Sequence, residues 1–304
     1  MKSKKWLLPL ILSILIFFEV FYIKDITKFV SSIINSHPNV IIQASNEYKK
    51  DYDFLYVQES KSYIPYSYGD LMNIFYSIIN NGWQEFTFYC PEEYENCLRD
   101  VQTISNNDSL LTSINNFAHP FNSFLSVKTS YDDSGEVNVT LNDLYDDNKK
   151  QILNQKVDEI IKNNIKSNMS QEEKIRTIHD YIVNNTEYDV QRNDTGDSNF
   201  DSNTAYGALI QGKAICSGYA DAMAIFLSRF GAKNYKIASG THVWNAVLVN
   251  NTWLHLDLTW DDPVSKNGPI LDHKYFLINN AELETADGAL TDHVFDKQIY
   301  LEFK

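Results

Sequence analysis

Two stretches of alternating residues, Thr241 to Val249 and Thr252 to Thr259, meet at the dipeptide Asn250-Asn251. A period of two is the pattern of a half-buried strand, and asparagine tolerates the left-handed backbone that a two-residue turn demands. The pair therefore reads as an antiparallel hairpin, with Trp244 opposite Asp257 and His242 opposite Thr259. In that register His242 and Asp257 leave one face of the sheet as diagonal neighbours, within side-chain reach. A slip of one residue would send them to opposite faces. His255, opposite Ala246, shares the face and is the rival of His242.

Upstream, Gly212-Lys-Ala-Ile-Cys216-Ser-Gly-Tyr-Ala220 opens a predicted helix, in which Met223, Leu227 and Phe230 recur about a turn apart before Gly231. Such a glycine is a common helix stop. Cys216 falls at the helix start, where unpaired amides and the helix dipole favour a thiolate. Gly218 allows a backbone or a substrate to approach closely. An isolated cysteine would read as a small core residue. A histidine beside a carboxylate shifts the balance, because that pair fixes the imidazole tautomer and serves as general base for a thiol.

The other two cysteines, Cys90 and Cys97, either close a small disulfide loop outside the cell or stay as two separate thiols. Both readings leave Cys216 unpaired. At the N-terminus Lys2, Lys4 and Lys5 precede a largely apolar run from Trp6 to Ile23, interrupted by Pro9, Ser13 and Glu19. A helix of that length, rising about 1.5 Å per residue, nearly spans the hydrocarbon core of a bilayer. Lysines on its N-terminal side keep that end cytoplasmic. The expectation is a single-pass anchor with the bulk of the chain extracytoplasmic; a cleaved signal peptide is the alternative, although no Ala-x-Ala-like site follows.

With 40 acidic against 26 basic residues and a formal charge of -14, the chain lacks the cationic surface that nucleic acid requires. The expected organisation is an anchor or signal segment over 1–30, a stalk over 31–48, a small α+β domain over 49–148 and a second domain over 149–304. In the small domain Asp53 to Gln58 and Glu85 to Cys90 are strand candidates. Leu71, Ile74, Phe75, Ile78 and Ile79 recur at helical spacing, a second helix covers Asp108 to Phe117, and Phe124 to Ser130 pairs with Glu136 to Leu141 across Asp132 to Gly135. Further on come a helix over Gln151 to Ile165 and another opened by a Ser170–Glu173 capping box. Ile175, Ile178 and Ile182 line one face of the latter, with His179 on the exposed side. The polar stretch Asp189 to Asn203 reads as an exposed loop beside the site.

The three segments around Cys216, Thr-His242-Val-Trp-Asn and His-Leu-Asp257-Leu-Thr-Trp-Asp-Asp resemble, in order and spacing, the motifs of the transglutaminase-like superfamily. Glu173 to Tyr188 is similar to that family's lead-in helix, and the resemblance runs from about 150 to 280. It implies an α+β fold with a papain-like core, in which a helix carrying the cysteine packs on an antiparallel sheet carrying histidine and aspartate. Cys216 would be the nucleophile, His242 the base and Asp257 the orienting carboxylate.

For the oxyanion the amide of Cys216 is one candidate donor, with Gln211 or Tyr206 as side-chain candidates. Trp244, Trp260 and Tyr219 are candidates for a groove, with packing as their other role. No Cys-x-x-Cys or His-x-x-x-His spacing occurs, so neither a metal nor another cofactor is expected. The expected function is acyl transfer from an amide of a protein, peptide or cell-envelope peptide through a thioester on Cys216. Water as acceptor gives a peptidase or amidase, and a lysine amine gives a cross-link. The alternative is a non-catalytic, membrane-tethered binding or scaffolding module on the same fold.

Overall fold

Helix α1 (Tyr68–Asn81) begins where the Ser67 side chain accepts from the Asp70 amide and ends at Gly82, whose left-handed φ of 67° lets its N–H close on Ile78 and Ile79. Its apolar stripe, Leu71, Ile74, Phe75, Ile78 and Ile79, is wholly buried. Strand β1 (Glu85–Tyr89) follows, then α2 (Cys97–Ser105) and α3 (Asp108–Asn115). The hairpin β2 (Phe124–Tyr131) and β3 (Glu136–Asp143) completes an antiparallel sheet in the order β1-β3-β2. Cys90 and Cys97 are joined in a disulfide at the start of α2. The computed structural model describes residues 40–264, 270–288 and 290–304. The apolar run from Trp6 to Ile23 lies outside them; among the described residues no helix is long and apolar enough to cross a membrane.

Helix α4 (Asp147–Asn164) spans the boundary expected near 148, and Ile42–Lys304 pack as one compact unit. Helix α5 (Gln171–Asn185) starts with the expected capping box, in which Ser170 and Glu173 satisfy each other's amides. Two short strands, β4 (Glu187–Tyr188) and β5 (Lys213–Ala214), pair in parallel around the polar stretch. That stretch holds a short helix, α6 (Val190–Thr195), started by the Asp189 side chain. Helix α7 (Cys216–Arg229) then packs on a second antiparallel sheet of β6 (Asn234–Ala238), β7 (Val243–Val249), β8 (Thr252–Leu256) and β9 (Phe276–Ile278). A last helix, α8 (Asn280–Asp287), opens on an Asn279–Glu282 capping box.

The core lies between α5, α7 and the β6–β9 sheet, with Ile175, Ile178, Ile182, Met223, Phe226, Val247 and Leu256 in one cluster. A buried polar knot ties it to the first half of the chain. Lys236 Nζ lies 2.6 Å from Asp221 Oδ1, the Tyr145 hydroxyl donates to Asp221 Oδ2 at 2.6 Å, and the same hydroxyl accepts from the Ala205 amide at 2.8 Å.

Two expectations need correction. Asp53 to Gln58 forms no strand; Phe54 and Val57 are buried, and the Phe54 ring packs on Phe117 and Tyr235 in place of a ladder. His179 is fully buried, because the turn carrying Asp261 closes over the face expected to meet solvent. Strands β6 and β9 and helix α2 escaped the sequence reading. Strand β6 is buried on both faces over Asn234 to Ile237, so it carries no alternation to read.

Candidate active site

The hairpin adopts the register its turn dictates. Asn250 and Asn251 have φ of 49° and 66°, the paired left-handed residues of a primed turn. The ladder runs from Val249↔Thr252 to Asn245↔Leu256, which carries Asp257 to the place opposite Trp244. His242, one residue before β7, meets it diagonally, with Nε2 2.5 Å from Asp257 Oδ2. The histidine is held from behind, since its amide donates to Ser239 Oγ at 3.0 Å and its carbonyl accepts from the Ser239 amide at 2.9 Å.

Cys216 is the first residue of α7 and keeps a free, half-buried thiol. No side chain caps that helix start; the Gly218 and Tyr219 amides close on the Ile215 carbonyl, which leaves those of Cys216 and Ser217 for an anion. The loop from Ser202 to Thr204 presses on this turn. A Cβ at Gly218 would lie 2.4 Å from the Ser202 carbonyl oxygen, so glycine here makes room for backbone. The Cys216 thiol lies close enough to His242 to help raise the pKa of its ring. Sulfur, imidazole and carboxylate thus gather from the start of α7, the residue before β7 and the turn after β8.

The electrostatics follow from burial and pairing. Burial alone would lower the His242 ring, but the charge and hydrogen bond of Asp257, with Cys216, raise it to about 10. Burial alone would raise Asp257; His242 and His293 instead hold it well below the usual carboxylate range. Asp257 accepts at both oxygens, from the Thr259 and Trp260 amides at Oδ1 and from the two histidines at Oδ2. Asp257, engaged at both oxygens, thus favours the protonated form that the His242 ring takes on when it accepts a proton.

His293 escaped the sequence reading. Its Nε2 lies 2.8 Å from Asp257 Oδ2, and its Nδ1 lies 2.8 Å from Asp287 Oδ1 at the end of α8. The segment around it shows no periodicity, and only the folded C-terminal stretch brings it in. Tyr188 also borders the site: burial first, then the charge of Cys216, pushes its phenol up to about 12. His242, Asp257 and His293 could in principle share a metal ion. All three side chains are buried, at 7%, 2% and 1% exposure, and they meet as a hydrogen-bonded triad.

The other sequence candidates separate clearly. His255 accepts from Trp244 Nε1 at 3.0 Å and pairs with Asn280 at 2.7 Å; burial brings its ring down to about 4, so it is a neutral core residue. Gln211 is exposed and its side-chain oxygen accepts from the Asp201 amide, while Tyr206 lies under Lys149. No contact joins either to Cys216 among the described residues. Trp244 and Tyr219 are buried and line no groove. Trp244 stacks on His242 at 13° between planes, and the Tyr219 hydroxyl donates to Asp262. Trp260, half-buried, stands edge-on to His242 at 6.4 Å and remains available to a substrate.

Comparison with known proteins bears on the same stretch. Residues 158–258 match the family described as the transglutaminase-like superfamily. The chain carries a transglutaminase-like domain. The matched part of this domain contains Cys216, His242 and Asp257, while His293 and Asp287 lie beyond it. A solved structure described as "Crystal structure of a TGase" is similar at 13% identity and a TM-score of 0.34, over 45% of this chain and 45% of its own. The chain thus spans less than half the length of that protein. No curated protein matches the chain.

Proposed function

We propose that the protein is a thiol-dependent acyl-transfer enzyme acting on an amide, with Cys216 as nucleophile, His242 as acid and base and Asp257 as orienting carboxylate. The observation that carries the reading is the His242–Asp257 pair, bonded at 2.5 Å, with the free thiol of Cys216 beside it at an uncapped helix start. The thiol proton passes to His242, and sulfur attacks the amide carbonyl carbon. The amides at the start of α7 receive the developing oxyanion. When the C–N bond breaks, His242 hands its proton to the leaving amine and a thioester remains on Cys216. Water or a second amine then attacks the thioester, gives a proton to His242 and restores the thiol.

The donor belongs to a protein, a peptide or a cell-envelope peptide. The lysine-flanked run from Trp6 to Ile23 would hold the enzyme on the outer face of a membrane. The Cys90–Cys97 disulfide agrees with such an oxidising setting.

The test is iodoacetamide labelling of Cys216 at neutral pH, followed by release of amine from peptide amide donors. Labelling faster than that of a free cysteine, slowed at least about tenfold in His242→Ala, supports the assignment. Labelling at the rate of a free thiol and unchanged by the substitution would identify a binding module instead.

A further inference from the structure

A second histidine–carboxylate cluster lies apart from the proposed nucleophile. Asp180 Oδ1, on α5, is 2.9 Å from His179 Nδ1 and 2.7 Å from His273 Nε2, on the approach to β9. The two imidazole nitrogens and the carboxylate oxygen lie within 4.8 Å of one another. His179 is fully buried, whereas the side chains of Asp180 and His273 are 33% and 28% exposed, so one flank opens to solvent.

The second nitrogen of His179 decides what this cluster needs. Nε2 lies 3.1 Å from Oδ2 of Asp261, which is 0% exposed and whose Oδ1 already accepts from the Tyr275 amide. A proton on Nε2 satisfies that contact, and the neutral ring then aims the Nδ1 lone pair at another acceptor, Asp180 Oδ1. Either a second proton on Nδ1 or a metal ion between the two atoms can make that contact.

We infer that His179 Nδ1, Asp180 Oδ1 and His273 Nε2 form a binding site for a divalent transition-metal ion of the zinc class, with Asp261 orienting His179 from behind. Two imidazoles and one carboxylate suit zinc-like ions better than calcium or magnesium, which prefer oxygen. A carboxylate on the far nitrogen of a ligating histidine is the usual outer support of such sites. Ligands about 2.0–2.1 Å from a tetrahedral ion stand about 3.3 Å apart. The cluster must therefore open by roughly half an ångström, which the two half-exposed side chains allow. The open flank leaves the remaining position to water.

The ion would brace the turn that carries the carboxylate of the proposed active site. Asp261 donates its amide to the Asp257 carbonyl at 3.3 Å and accepts at its own carbonyl from the Asp272 amide at 2.9 Å. A metal ion on His179 and His273 would thus clamp α5, the approach to β9 and the turn after β8 together.

The experiment uses the chelator-treated chain with Cys216→Ser, which removes the competing thiol and makes the outcome independent of catalysis. Zinc chloride alone is the probe, with binding followed by equilibrium dialysis and thermal unfolding. One equivalent of zinc should bind and raise the unfolding temperature. Adding His273→Ala or Asp180→Asn, both partly exposed and tolerable to the fold, should weaken binding by at least about tenfold and abolish the rise. No binding would mean that protons alone hold the cluster. Binding unchanged by both substitutions would place the ion elsewhere. Either result overturns the inference.

Discussion

His293 Nε2 lies 2.8 Å from Asp257 Oδ2, the oxygen that also holds His242 at 2.5 Å. Asp287 anchors the far side of the His293 ring, so the carboxylate is fixed by a residue outside the stretch that matches the family. His293→Phe keeps a ring in place but removes both contacts. Loss of a hydrogen bond to a buried charge should cost about 1.5–3 kcal/mol in urea unfolding. In steady-state assays kcat should fall with KM little changed. An unaltered unfolding curve would mean that His293 only fills space.

Stability should follow a pH window set by the His242–Asp257 pair. His242 rises in the folded chain from an ordinary 6.5 to about 10. Its contribution is complete below about pH 6.5 and is lost as pH climbs through about 10. Asp257 is depressed; its share is present above about pH 4 and is lost as pH falls through the lowered value. The difference in unfolding free energy between the wild-type chain and Asp257→Asn should be largest from about pH 4 to about 6.5 and shrink on both sides. A flat difference would be incompatible with an ion pair.

Catalysis should fail on the alkaline side. In the proposed mechanism His242 must carry a proton when the C–N bond breaks, so amide cleavage should decline above about pH 10. His242→Ala should lower kcat by about 10²–10⁴ and remove that limb. Persistence of the limb in the variant would assign it to another group.

Gly218→Ala should be damaging out of proportion to one methyl group. Its Cβ would stand 2.4 Å from the Ser202 carbonyl oxygen, a backbone atom with no rotamer to escape through. A cost of about 1–3 kcal/mol is expected, together with slower labelling of Cys216, because the displaced turn carries the thiol. Unfolding and labelling rates together test this.

Asp221→Asn should destabilise the fold about a turn and a half along α7 from Cys216. Lys236 Nζ loses its partner at 2.6 Å while remaining 9% exposed, and stranding a buried charge costs about 3–5 kcal/mol. Replacing both, as Asp221→Leu with Lys236→Met, should recover much of the loss. Equal loss in the single and double variants would show that the stranded lysine charge is not the source of the cost.

The amino-acid sequence alone determined those parts whose physics is local. The Asn250-Asn251 turn sets the hairpin register, the register puts His242 beside Asp257, and the Ser170–Glu173 box and the uncapped start at Cys216 mark their helices. Each depends on residues a few positions apart, so pattern and spacing report it directly. Tertiary structure decided what depends on segments far apart in the chain. The C-terminal stretch brings His293 to Asp257, the Asp261 turn buries His179, and Trp244 is drawn behind His242 and away from any groove. Such contacts leave no periodicity at either partner. They arise because buried nitrogens and carboxylates must find each other once water has been excluded.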